Sequence, residues 1–128
     1  MRGEPQVIHT DSAPKAIGPY SQAIALADLV FVSGQIPLDP ATGELVKGSF
    51  ADQARRVLAN VDAILQAAGI ERRGVVKATV YLTDVRRFGE LNDAYAAFFG
   101  DHRPARAVVG VATLPRGAEV EIEVVATR

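Results

Sequence analysis

The chain contains no cysteine. Disulfides, thiolate nucleophiles and Cys-ligated zinc are therefore excluded. It has no tryptophan and only 6% aromatic residues, so its core must be built mainly from Val, Ala, Leu and Ile. It has no surplus of positive charge. The 14 Lys and Arg stand against 15 Asp and Glu, a formal net charge of −1. A chain so balanced has no cationic excess to hold a phosphate backbone, and no nucleic-acid partner is expected. The pairs Arg55-Arg56, Arg72-Arg73 and Arg86-Arg87 are scattered among acids and read as solvated helix ends and faces. No apolar run approaches the length of a membrane span. The opening MRGEPQVIHT has no apolar signal-peptide core. The expectation is a soluble, cytoplasmic protein with no membrane partner. Phosphate-loop, dinucleotide, zinc-protease and nucleophile-elbow motifs are all missing. His9 and His102 stand alone, with no carboxylates at ligand spacing beside them, so no metal is expected.

What is present is a core. Hydrophobic residues make up 48% of the chain against 23% charged, which argues against disorder. A length of 128 residues fits one domain, residues 1–128, burying roughly two-thirds of the unfolded chain's surface.

The spacing predicts a short strand at Gln6–Thr10 and a loop from Asp11 to Tyr20, followed by a hairpin of Ala23–Ala27 and Leu29–Ser33 around Asp28. A turn follows at Asp39–Gly43. Ser49 to Gly69 is the clearest helix. Ser49 caps it, Asp52 completes a capping box, and Gly69 suits the left-handed C-terminal position. Val75–Leu82 is a strand. Thr83 or Asp84 then caps a second helix reaching about Phe99, with Val85, Phe88, Leu91, Tyr95, Phe98 and Phe99 as its apolar stripe. The last quarter reads as two strands, Ala105–Ala112 and a second one around Val120–Val124, joined at Leu114–Gly117 as a hairpin. In the second strand Val120, Ile122 and Val124 alternate with Glu119, Glu121 and Glu123. The expected fold class is α+β: one mixed sheet with two helices on one face. Ala105–Ala112 is apolar on both faces, so the uncovered face predicts a closed homo-oligomer.

Several polar residues stand in odd places. Arg106 lies inside an apolar strand, where a cation is costly unless something anionic meets it. Hairpin pairing would bring Glu121 toward the same end. Two readings stay open: a structural ion pair between Arg106 and Glu121, or an arginine awaiting a ligand carboxylate, which guanidinium binds through two parallel hydrogen bonds. Tyr20 follows Gly-Pro in a loop, Ser33-Gly34 ends an apolar strand, and Asn92 interrupts the second helix near its stripe. Each also has a plain structural reading: loop residue, strand terminator and exposed helix residue.

Six segments occur in one order: AIGPYSQ (16–22), VSGQIP (32–37), Asn92-x-x-Tyr95-x-x-Phe98-Phe99, RPAR (103–106), Leu114-Pro115 and VEIE (120–123). Together they resemble the Rid family of small enamine/imine deaminases, the YjgF type, over about residues 7–128. The resemblance implies a chorismate-mutase-like α+β fold and a homotrimer with ligand clefts between subunits. It implies cofactor-free hydrolysis of 2-imino acids, formed from enamines such as 2-aminoacrylate, to 2-keto acids and ammonia. Position by position, Arg106 matches the arginine that holds the substrate carboxylate, and Glu121 the acid that positions water. Tyr20, Ser33, Gly34, Asn92 and Val108 match pocket residues. Many members carry Cys or a polar residue just after the arginine, where this chain has Ala107 and Val108. The alternative is a non-catalytic trimer of the same fold that binds small carboxylates or other proteins.

Overall fold

The computed structural model describes residues 3–128. Six strands form one sheet: β1 (Gln6–Ile8), β2 (Ala23–Leu26), β3 (Leu29–Gln35), β4 (Val75–Leu82), β5 (Ala105–Gly110) and β6 (Val120–Thr127). Their order across the sheet is β1-β2-β3-β6-β4-β5. Two helices, α1 (Phe50–Ala67) and α2 (Phe88–Phe99), link β3 to β4 and β4 to β5.

Local signals behave as expected in α1. The Ser49 side chain accepts a hydrogen bond from the Asp52 N–H, the Asp52 carboxylate accepts one from the Ser49 N–H, and Gly69 takes φ 74°. The helix buries Ala54, Val57, Leu58, Val61, Ile64 and Leu65 on the sheet. The stripe on α2 is narrower than its sequence suggests. A 3-10 turn at Val85–Arg87, capped by Asp84, precedes the helix. This late start leaves Val85 and Phe88 exposed, while Leu91, Tyr95 and Phe99 reach the core.

The C-terminal hairpin does not form. β6 lies between β3 and β4, antiparallel to both, and β5 lies outside β4, parallel to it. The reason is burial. Val120, Ile122, Val124 and Ala126 are almost wholly enclosed, and only a central strand under the helices offers that much cover. Strand β5 is half-exposed along its length and takes the edge, brought there by the α2 crossover that parallel pairing requires. The turn at 114–117 exists, with Arg116 and Gly117 both at positive φ, but it leads into the sheet's centre rather than back along β5. Glu119 precedes β6 and accepts a hydrogen bond from the Gln53 amide of α1, so only Glu121 and Glu123 form the outward acid pair.

Asn60 ties helix to loop. It is fully buried on α1 and donates to the carbonyls of Ile36 (3.3 Å) and Leu38 (2.9 Å). Removing it strands the Leu38 carbonyl and leaves that of Ile36 with the Leu38 N–H alone. Asn60→Ala is expected to cost about 1–3 kcal/mol, read as a lower urea midpoint with an unchanged slope.

Candidate active site

Arg106 pairs in register with Ala78 of β4, which in turn pairs with Val124 of β6. Paired residues share a face, so Arg106 emerges on the helix-bearing side, at the edge, beside α2. There a clamp holds it. Its Nη1 donates to Asn92 Oδ1 at 2.9 Å. Its Cζ lies 4.8 Å from the Tyr95 ring centroid and 5.5 Å from that of Phe88. Phe88, Asn92 and Tyr95 are spaced i, i+4, i+7, which puts them on one helix face. The rings supply cation–π attraction and the amide fixes the guanidinium's rotation. Arg106 opens onto a recess of ≈ 350 Å³, lined also by Tyr95, Ala96, Arg103 and Pro104.

Glu121 pairs in register with Tyr81 and projects from the opposite face. It lines a second recess of ≈ 460 Å³ with Tyr20, Ser33, Gly34, Lys15 and Glu123. The β3–β6 register slips between Val32 and Gln35, a bulge that turns Ser33 and Gly34 toward this recess. The Ser33 hydroxyl donates to the Ser21 carbonyl at 2.6 Å. Tyr20 is half-exposed at the mouth, its hydroxyl accepting from the Ile17 N–H at 3.2 Å. Gly34 is required by contact: a methyl group there would fall 1.9 Å from Glu121 Oε2. Glu123 accepts a hydrogen bond from the Tyr81 hydroxyl at 2.8 Å. Glu121 pairs with no group among the described residues. Burial, and then the neighbouring charge of Glu123, push its carboxyl above the ordinary carboxylate range.

Arg106 and Glu121 are therefore not an ion pair, and they do not share an end of a ribbon. Strand β4 separates them, and they project from opposite faces. Two strands across and three residues along put their Cα atoms roughly 14 Å apart. The expected site residues divide between two recesses: Arg106 and Asn92 in one, Tyr20, Ser33, Gly34 and Glu121 in the other. Val108 lines neither. It pairs with Val80 and packs against the core. The spacing of Phe88, Asn92 and Tyr95 is visible in the sequence, yet reading Phe88 and Tyr95 as apolar stripe and Asn92 as an interruption beside it hides the clamp. Arg103 and Glu123 also line the recesses without having been singled out.

The two halves have complementary chemistry. One offers a pre-oriented guanidinium to an anion. The other offers a carboxyl whose raised proton affinity lets it take and return a proton nearer neutrality. Among the described residues, no group of three or more His, Asp or Glu side chains is placed to hold a metal ion.

Residues 10–128 match the sequence profile of the family described as endoribonuclease L-PSP. A RutC family protein of Pyrococcus horikoshii is 52% identical over 121 residues, covering 94% of this chain and 96% of the relative. A 2-iminobutanoate/2-iminopropanoate deaminase of Bos taurus is 47% identical over 123 residues, covering 96% and 90%. Among solved structures, E. coli TdcF with bound serine superposes with a TM-score of 0.92 at 45% identity, covering 96% of this chain and 98% of that one.

The raised Glu121 carboxyl sets the sign of a pH effect. A folded-state value above the unfolded one means that the folded chain binds this proton more tightly. Its contribution is complete below the ordinary value of 4.5 and is lost as pH rises through the folded value. Glu121→Gln should therefore be more stable than the parent at neutral pH, and the gain should shrink toward zero below about pH 4.5. Urea denaturation at both pH values checks this.

Proposed function

We propose, because this chain belongs to the endoribonuclease L-PSP (YjgF/Rid) family, that it hydrolyses reactive 2-imino acids to 2-keto acids and ammonia. Enamines such as 2-aminoacrylate reach the site as their imine tautomers. Arg106 holds the substrate carboxylate, and Asn92 keeps the guanidinium aimed. Glu121 takes a proton from water as the water oxygen bonds to the imine carbon. It returns that proton to nitrogen, giving a carbinolamine; as the carbon–nitrogen bond breaks, the hydroxyl oxygen forms the keto C=O and passes its proton through Glu121 to nitrogen, so that ammonia leaves. An imine carbon is already electrophilic, so alignment and proton transfer suffice and the scheme uses no cofactor. Tyr20, Ser33 and Gly34 line the water side. The name of the bovine relative and the serine held by TdcF support a small amino-acid-derived ligand. With net charge −1, RNA cleavage is the weaker reading.

The observation that carries the reading is the placement of Arg106 and Glu121 on opposite faces of one sheet. One copy of the chain cannot bring both to a small substrate. We infer a closed homotrimer whose clefts each join the Arg106 recess of one copy to the Glu121 recess of the next. Exposed Leu29, Phe31 and Val109 supply apolar surface for that contact. Light scattering should give about three times the chain's 13.6 kDa.

Three kinetic outcomes follow. Arg106→Ala should raise KM for 2-iminopropanoate by ~10–100-fold, the equivalent of about 1.5–3 kcal/mol. Glu121→Ala should lower kcat by ~10²–10⁴-fold while a 2-keto acid still binds. Mixing the two impaired variants by co-refolding should restore parent-like kinetics to about a quarter of the clefts, because each cleft draws its arginine and its acid from different copies. No recovery would place both groups in one chain. No acceleration of imine loss by the parent protein would leave a non-catalytic carboxylate-binding module.

A further inference from the structure

The arginines of this chain are not all satisfied in the same way. Arg55, Arg72, Arg73, Arg86 and Arg87 each meet an acid: Asp52, Asp62, Glu71, Asp84 and Glu90. Arg103 and Arg106 meet none among the described residues, yet they line the same ≈ 350 Å³ recess, and no acid lines it with them. Two guanidiniums sharing a small recess repel, and only an anion relieves both at once.

Both groups are also held in place. Arg103 Nη1 donates to the carbonyls of Gly100 and His102, at the turn where Gly100 adopts φ 63°. Arg106 Nη1 donates to Asn92. In each case one nitrogen anchors the side chain and the others remain for a ligand. Both line the recess beside Tyr95, with Arg106 Cζ 4.8 Å from its ring centroid. The Tyr95 hydroxyl is buried, with no hydrogen-bond partner among the described residues. Burial raises its proton affinity, while Arg106 and then Arg103 pull the other way.

We propose that this recess takes two carboxylates of one ligand, Arg106 holding the carboxylate next to the imine carbon and Arg103 the distal acid of a 2-imino dicarboxylic acid. The inference rests on the imine-hydrolysis reading and narrows its substrate class. The opposite recess strengthens the choice. Glu121 and Glu123 stand there against Lys15 alone, so a distal carboxylate is repelled from that half and drawn to the arginine half. The reaction itself is unchanged: water adds to the imine carbon, ammonia departs, and the distal acid takes no part.

Calorimetric titration with 2-oxoglutarate and 2-oxobutanoate at one fixed, low salt concentration tests this. The parent protein should bind 2-oxoglutarate at least ~10-fold more tightly, the size of one added charge-assisted contact. Arg103→Ala should bring the ratio of the two affinities to within about twofold, and Arg103→Lys should restore part of it. Arg106→Ala should weaken both ligands. The ratio of kcat/KM for 2-iminoglutarate over 2-iminobutanoate should follow the same pattern. A parent protein that binds 2-oxobutanoate through Arg106 but shows no preference overturns the second subsite alone. Equal weakening of both ligands in Arg103→Ala, with an altered assembly in light scattering, also overturns it and makes Arg103 an interface residue. Preference without imine hydrolysis would keep the subsite and remove the deaminase reading. No binding of either keto acid overturns both.

Discussion

The hydrogen-bond ladder that fixes β6 between β3 and β4 sets the geometry of everything else. Once Val120, Ile122 and Val124 are locked under the helices, the two-residue period of a strand leaves Glu121 and Glu123 no choice of face. The same ladder seats β4, and β4 seats β5 by parallel pairing. Arg106 thereby lands on the helix side and Glu121 on the other. A one-residue slip of β6 would bury two carboxylates and expose the core strand, so the register that holds the fold also assigns the chemistry to its faces.

Charge is sorted along with geometry. The helix-side recess gathers cations over an aromatic clamp, and the open-face recess gathers carboxylates around a bulge. In the second, Tyr81 holds Glu123, which leaves Glu121 as the group whose proton is free to move. Gly34 makes room for it. A bulge in place of a regular pair costs one rung of the ladder and gives the carboxylate a position that no side chain contests.

Much of this was legible in the chain itself. The capping box at Ser49, the stripe of α1 and the hairpin around Asp28 rest on local rules and appear where those rules put them. The alternation of β6 was equally plain. Its partner was not. Pairing Arg106's strand with Glu121's follows from nearness in sequence, whereas the real arrangement follows from which strand most needs cover, a property of the assembled core. The clamp on Arg106 was missed for a related reason. Phe88 and Tyr95 are apolar and helically spaced, so periodicity files them with Leu91. Only the position of β5 reveals that Phe88 and Tyr95 also flank a guanidinium.

Asn60 carries a last implication. Its amide joins the segment at Ile36 and Leu38, which walls the carboxylate recess, to the most deeply buried helix of the chain. That wall therefore has no low-energy way to open by itself. Amide exchange in this segment should be governed by the same cooperative event that unfolds α1 rather than by local fraying. That side of the carboxylate recess thus behaves as rigid scaffold, and the exposed loop around Tyr20 is the side of it left free to adjust.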